Sequence, residues 1–274
     1  MSTNATSFEL HLGDCVAGMK SLNSSSVDLV VTSPPYNLGT AYSSYDDTLA
    51  RSEYLSWTLE WAAEIKRVLK PGGSFFLNVG ASPSNPLMPH QILLTLVPEL
   101  FHLQNTFHWI KSITVDTRDG GEVSAGHFKP INSQRYVNDC HEFIYHLTLG
   151  GNVALDRRGI GVAYVHKSNI ARWGHTGGQD KRCRGNNWFI PYDTIQRRSS
   201  ERPHPATFPV ALATRCIRLT GIATSEMTML EPFLGIGHAA RAAQEAGVGR
   251  FVGYEIDEEY FAEATSHLTP EQRA

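Results

Sequence analysis

Apolar positions along the chain keep two alternating rhythms. Val27-Asp28-Leu29-Val30-Val31 is a β-branched run closed by Ser33-Pro34-Pro35, where consecutive prolines can neither extend a ladder nor begin a helix before the second one. This predicts a strand ending just before Ser33. From Ser52 to Leu69 the residues Leu55, Leu59, Ala62, Ile65 and Leu69 recur at three and four, one face of a helix, and Lys70-Pro71-Gly72-Gly73 reads as its stop signal. Ser74 to Val79 then reads as a buried strand, His90 to Leu100 as a helix, and Phe107 to Ile110 and His141 to Leu147 as further strands. Periodicity fails from about Gly150 to Pro205. It resumes with a helix over Phe208 to Thr220, a strand Thr228 to Leu230, a glycine turn, a helix His238 to Ala246 and a strand Arg250 to Tyr254. Such alternation predicts an α/β fold with a mostly parallel twisted sheet flanked by helices.

Composition narrows the class. With 274 residues, 41% hydrophobic and 19% charged, the chain is neither a disordered tail, a collagenous repeat nor a coiled coil, and it is long enough for one substantial body with a small appended module. No stretch reaches the ~18 apolar residues of a membrane span, and Met1 to Thr6 is polar, so a cytoplasmic protein with no membrane partner is expected. Cys15, Cys140, Cys183 and Cys216 lie far apart with no C-x-x-C pair, which reads as free thiols. His102 with His108, and His141 with His146, form no consistent ligand set, so no metal is expected.

The net charge of -3 hides an asymmetry. Between Gly151 and Arg202 stand ten basic residues against four acidic ones, leaving fourteen basic and twenty-three acidic residues elsewhere. A basic block interrupts an acidic body. Within it, Arg182-Cys183-Arg184-Gly185-Asn186-Asn187-Trp188 mixes guanidinium forks, amides and an aromatic, the set used for phosphates and base edges. Arg172, Lys181, Arg182, Arg184, Asn186, Arg197 and Arg198 are the candidate nucleic-acid contacts, most of the arginines to phosphate. Trp188-Phe189-Ile190-Pro191 reads as an anchor to the body, and Gly174, Gly177 and Gly178 as the mark of a loop that orders on its ligand.

Two further motifs carry chemistry. Glu231-Pro232-Phe233-Leu234-Gly235-Ile236-Gly237-His238 joins a strand to a helix, and Glu255 ends the following strand. A lone G-x-G turn is common, and the third glycine of a dinucleotide fingerprint is missing here. Glycine turn and acidic strand end together suit an adenosine-type cofactor without a pyrophosphate, Glu255 accepting from ribose hydroxyls. Asp257 is an alternative for that role, or a helix cap. The other motif is Thr32-Ser33-Pro34-Pro35-Tyr36-Asn37, in which the prolines hold the backbone still. A hydroxyl at Ser33, the Pro34 carbonyl and the Tyr36 ring offer two acceptors and a stacking face, which suits a planar base bearing an exocyclic amine. The stretch Asn37 to Asp47 is either a cover over the cofactor or an ordinary surface loop.

Taken together, Ser33-Pro34-Pro35-Tyr36 and Phe233-Leu234-Gly235-Ile236-Gly237 resemble the D/N/S-P-P-Y/F and F-x-G-x-G signatures of the S-adenosylmethionine-dependent DNA amino-methyltransferases. The catalytic signature precedes the cofactor signature with the basic block between them, which resembles the β class. Gly13-Asp14-Cys15, Lys70-Pro71-Gly72-Gly73, Glu142 and Arg202-Pro203-His204-Pro205-Ala206-Thr207-Phe208-Pro209 extend the likeness over roughly Leu10 to Tyr260. The resemblance implies a permuted Rossmann-like methyltransferase fold: residues 1–150 as its catalytic part, 151–202 as a small irregular target-recognition insert, and 203–274 as its cofactor-binding part. It implies Ser33, Pro34, Pro35 and Tyr36 as catalytic residues acting on a flipped base. Asp14 with Cys15 would lie near the adenine of S-adenosylmethionine, Gly235 and Gly237 near its methionine part and Glu255 at its ribose, with Phe233 packing on the adenosine or filling the core. Double-stranded DNA is the implied partner, with a cognate restriction endonuclease and a homodimer as further expectations. S-P-P-Y together with H-P-A-x-F-P is similar to the cytosine-N4 enzymes, whereas aspartate at the position of Ser33 is usual for adenine-N6 enzymes. Adenine-N6 transfer, RNA or protein amide methylation, and an inactive DNA-binding module are the competing readings.

Overall fold

The computed structural model describes residues 6–40, 42, 44–126, 128, 131–191, 207–266 and 268. The chain runs β1 (Ser7–Leu12), α1 (Cys15–Met19), β2 (Val27–Thr32), α2 (Arg51–Val68), β3 (Leu69–Val79), α3 (Met88–Leu96), β4 (His102–Ile110), a hairpin of β5 (Ser112–Asp116) and β6 (Glu122–Gly126), β7 (His141–Thr148), α4 (Ser168–Arg172), β8 (Asn187–Phe189), α5 (Val210–Thr220), β9 (Thr228–Glu231), α6 (His238–Ala246), β10 (Arg250–Glu255) and α7 (Glu258–Ser266). Eight strands form one sheet in the order β1-β10-β9-β2-β3-β7-β4-β8. All its pairings are parallel except those of β7, which runs against both β3 and β4.

Two cores sandwich this sheet. Neighbouring strand residues alternate between them because successive side chains leave a strand on opposite faces. Leu29, Val31, Phe76, Met229 and Phe251 enter the core that α5 and α6 cover with Leu212, Ile217, Ala239 and Ala243. Val30, Phe75, Leu77, Leu230 and Val252 enter the core that α2 and α3 cover with Tyr54, Trp61, Ile65 and Ile92. Burial on both faces is why the inner strands read as continuous apolar runs rather than alternating ones.

The sequence-based elements need four corrections. Strand β3 begins at Leu69 rather than Ser74: α2 stops at Val68, just before Lys70-Pro71-Gly72-Gly73, and those four residues lie within the strand. Buried Leu69 pairs with Val27 and Ser74 with Leu29, so the proline and glycines bulge out of the ladder between two fixed pairs. Helix α3 ends at Leu96 rather than Leu100, because Pro98 pushes Val97 out of the helical region into an extended conformation (φ -116°, ψ 132°). Strand β1 and the β5–β6 hairpin, absent from the expected elements, are short and partly exposed, and show no clean period. The basic block is also less irregular than expected: β8 adds its three residues to the edge of the main sheet beside β4.

Strands β9 and β2 lie side by side at the centre. From β9 the chain crosses through α6 to β10 on one side, and from β2 through α2 to β3 on the other. Crossovers departing in opposite directions leave a crevice beyond the carboxyl ends of the two strands, the usual place for a ligand in open α/β sheets.

Candidate functional site

That crevice is a cleft of about 890 Å³ when the open space at its mouth is counted. Its lining joins the two motifs. Ser33 and Pro35 from the end of β2 face the same space as Phe233, Gly235 and Glu255.

On the cofactor side, the chain leaves β9 through a turn that needs glycine. Gly235 (φ 55°) and Gly237 (φ 85°) adopt left-handed backbone, and a Cβ on Gly237 would stand 3.1 Å from Ala264 Cα. The Gly235 N–H donates to Glu255 Oε2 at 2.7 Å and the Asp257 N–H to Glu255 Oε1 at 3.0 Å, so the end of β10 braces the turn. Burial holds the Glu255 carboxyl above its ordinary range, against the backbone hydrogen bonds that pull it down. Asp14 accepts from Ala17 N at 2.8 Å, capping α1 while lining the cleft. Beside it Cys15 is buried, and burial pushes its thiol up to about 12, which leaves it a packing residue rather than a nucleophile. Asp257 caps α7 through Oδ1, accepting from Glu259 N at 2.9 Å and Tyr260 N at 3.0 Å. Its Oδ2 accepts from Ser44 Oγ at 2.6 Å, bringing the stretch after Tyr36 across to the cofactor side, where Tyr42, Ser44 and Tyr45 line the cleft. Phe233 lines it too, with its ring edge-on to Trp57 and Trp61 at 5.5 and 5.6 Å between centroids.

On the opposite side, the diproline corner is held from below. Tyr54 of α2 donates its hydroxyl to the Pro35 carbonyl at 2.7 Å. Buried Asp47 accepts from the N–H groups of Asn37, Leu38 and Thr40 at 2.7, 3.1 and 2.9 Å, fixing the turn that follows Tyr36. Asn37 sits there at φ 55°, a left-handed position that asparagine tolerates better than most residues. The Tyr36 hydroxyl lies 2.6 Å from Ser33 Oγ, 2.7 Å from Asn78 Nδ2 and 3.1 Å from Glu142 Oε2. Asn78 Nδ2 also reaches Glu142 Oε2 at 2.6 Å, and Lys111 Nζ pairs with Glu142 Oε1 while lying 4.9 Å from the Trp109 ring centre. Burial and the neighbouring Glu142 raise the Tyr36 phenol well above its ordinary value, so it stays protonated.

Glu231 connects the two sides. It is fully buried at the end of β9, its Oε1 meeting Thr32 Oγ1 and accepting from Phe233 N at 3.2 Å, while its Oε2 has no partner. Burial raises its carboxyl well above the ordinary range, so it sits between the motifs as a neutral acid.

Periodicity does not reveal Asn78, Lys111, Asp47 or Tyr54 as site residues. Asn78 left one trace, an amide in the otherwise apolar Phe75-Phe76-Leu77-Asn78-Val79. Lys111 and Glu142 meet it only through the pairings of β3, β7 and β4.

The candidate nucleic-acid residues lie apart from the cleft lining. Arg172, Lys181 and Arg182 are exposed, and Arg182 forms a backbone bridge with Val162. Arg184 donates Nε to the Ile160 carbonyl at 2.9 Å, holding its own segment together, and Asn186 donates Nδ2 to the Thr106 carbonyl at 3.0 Å, tying that segment to β4. Trp188 is fully buried, 4.5 Å from the Phe107 ring, and Trp109 donates Nε1 to the Ile190 carbonyl at 2.8 Å. Arg197 and Arg198 lie outside the described residues. Among the described residues there is no group of three or more His, Cys, Asp or Glu placed to hold a metal, and no helix is long and apolar enough to cross a membrane.

Comparison with known proteins agrees with this fold. The type II methyltransferase M.ScaI of Streptomyces caespitosus is 31% identical over 97% of this chain and 82% of its own length. Among solved structures, the PvuII DNA methyltransferase, described as cytosine-N4-specific, superimposes with a TM-score of 0.69 at 19% identity, covering 97% of this chain and 88% of that one. A DNA modification methylase of Thermus thermophilus, solved with S-adenosyl-L-methionine, gives 0.61 at 23% identity over 94% and 92%. The family model described as DNA methylase, covering N6 and N4 enzymes, matches residues 27–266, and the chain accordingly belongs to the N6/N4 family of DNA methyltransferases.

Proposed function

We propose that this DNA methyltransferase moves a methyl group from S-adenosylmethionine to the exocyclic N4 of a cytosine flipped out of double-stranded DNA. The observation that carries this reading is the single cleft whose walls hold Ser33 and Pro35 on one side and Gly235 and Glu255 on the other. The residues present fit the cofactor. Gly235 and Gly237 leave the turn without Cβ atoms at backbone angles that other residues avoid, Glu255 offers a carboxylate to a ribose, and Tyr42, Tyr45 and Phe233 give the cleft aromatic walls suited to adenosine. Asp14 and Cys15 close the adenine end. When bound, the cofactor supplies a methyl group activated by a positively charged sulfur.

The chain's own residues do the rest. Two acceptors, Ser33 Oγ and the Pro34 carbonyl, bind the amine hydrogens and turn its lone pair out of conjugation with the ring. The Pro35 carbonyl is pinned by Tyr54, which keeps that corner from yielding. Tyr36 provides the ring on which the base stacks. The basic segment, with Arg172, Lys181, Arg182, Arg184 and Asn186, docks the duplex as the target-recognition part of the molecule. Cytosine is favoured over adenine because Ser33-Pro34-Pro35-Tyr36 together with His204-Pro205-Ala206-Thr207-Phe208-Pro209 resembles the cytosine-N4 enzymes, whereas aspartate at the position of Ser33 is usual in adenine-N6 enzymes. The test is sequencing, with modified bases read at single positions, of DNA from a host expressing the protein. N4-methylcytosine at one recurring sequence is the expected result; N6-methyladenine there would overturn the target base, and unmodified DNA beside methylated RNA would overturn the substrate.

A further inference from the structure

An amine can be held at Ser33 only if that hydroxyl presents lone pairs, rather than its proton, to the cleft. Nothing in serine itself decides this, because a hydroxyl rotor turns to suit its partners. The network behind Ser33 decides it. We propose that Glu142, two hydrogen bonds away and outside the cleft lining, is the positioning residue that fixes Ser33 as an acceptor; this rests on the reading of the site as one for amine methylation.

Glu142 is the member of the network whose role is fixed, since a carboxylate ion-paired with Lys111 can only accept. Asn78 must therefore turn its NH2 toward Glu142 Oε2 at 2.6 Å, because its carbonyl oxygen there would face another oxygen, and its second N–H lies 2.7 Å from the Tyr36 oxygen. Tyr36 has one proton and two oxygen neighbours, Glu142 Oε2 at 3.1 Å and Ser33 Oγ at 2.6 Å. If it donated to Ser33, its own oxygen would oppose the carboxylate with no proton between them. It donates to Glu142 instead, and the 2.6 Å contact must then carry the Ser33 proton toward Tyr36. Asn78 Nδ2 also stands 3.3 Å from Ser33 Oγ and engages one of its lone pairs, and the other is left for the cleft that Ser33 lines. Charge on one strand is thus converted, through an amide and a phenol, into acceptor character on another.

Glu142→Gln tests this without changing size. A glutamine amide can donate to the Tyr36 oxygen, which frees the phenol proton for Ser33 and turns the Ser33 proton into the cleft. Methyl transfer to duplex DNA containing the methylated site should show kcat reduced about 100-fold, a loss of the size seen when one oriented polar group is removed from an active site. Binding of S-adenosylmethionine, measured by calorimetry, should stay within about twofold. The decisive readout is discrimination: affinity for the duplex carrying the target base against one carrying its carbonyl analogue, uracil for cytosine or hypoxanthine for adenine. The wild-type protein should prefer the amine, and Glu142→Gln should lose or invert that preference. Tyr36→Phe keeps the ring and interrupts the relay, so it should lose the preference in the same way, and it carries the test if Glu142→Gln does not fold. A fall in kcat with discrimination unchanged would reduce Glu142 to a structural residue and overturn the proposal, as would wild-type kcat in the variant. If the wild-type protein methylates adenine, the cytosine assignment above fails while this inference is read on the adenine and hypoxanthine pair.

Discussion

Glu231 shows how far a single residue can be pushed from its solution behaviour. Its ordinary carboxyl value is 4.5, and burial raises it well above that in the native protein. Below about pH 4.5 both the native and the unfolded forms are protonated and the group has no pH-dependent effect. As pH rises above that, the unfolded chain ionises first, so stability falls through the window up to the raised native value. Glu231→Gln should remove this decline, so that denaturation midpoints measured from about pH 5 to about pH 9 drop less in the variant than in the wild type; parallel curves would mean the buried carboxyl is ionised after all. Gly237 makes the complementary case for backbone. Alanine there meets both a left-handed φ of 85° and the Ala264 Cα at 3.1 Å. Gly237→Ala should cost about 1–2 kcal/mol from the backbone conformation alone and weaken cofactor binding by calorimetry; an unchanged dissociation constant would separate the turn from the cofactor.

At the scale of elements, burial decides what can be read in advance. The inner strands and α2, α5 and α6 were legible because their apolar positions face two deep cores and so repeat with a clear period. Strand β8 was not, since only its central residue, Trp188, is buried and its flanks carry polar Asn187 and exposed Phe189. Ser33 to Tyr36 and the glycine turn were legible for another reason: each is a contiguous segment whose chemistry survives without neighbours. Asn78, Lys111 and Glu142 are brought together by three paired strands, and their meeting is a product of register, which no local pattern encodes. Trp188 also sets an expectation for its element. Trp188→Ala should cost about 3–5 kcal/mol, the range for deleting a buried indole, and should weaken DNA binding while cofactor affinity in the folded protein stays within about twofold. Full DNA affinity in the variant would show that β8 does not carry the recognition segment.

For the whole molecule, charge is arranged rather than merely summed. The basic segment meets the main sheet at its β8 edge, and the two motif walls of the cleft rise at its centre, so the proposed docking would bring a duplex held by the positive block to an otherwise acidic body. Lys181 and Arg182, both exposed, test this arrangement. Replacing both by alanine should lower the steepness of log affinity against log salt by about 2, close to one unit for each phosphate contact removed. An unchanged steepness would place the duplex elsewhere on the surface.

Strand β7, the one reversed member of the main sheet, has a consequence for how such a molecule can change. Because it runs backward, it offers its beginning to the reactive edge, and it is stitched on both flanks, to β3 and to β4. Gaining or losing one residue inside 141–148 would carry Glu142 to the opposite face and break two ladders at once. The stretch 131–140 that precedes it belongs to no strand and is mostly exposed, so it can lengthen or shorten without breaking a ladder. Variation in length is thereby steered toward the outside of the molecule, and the reactive edge is insulated from it.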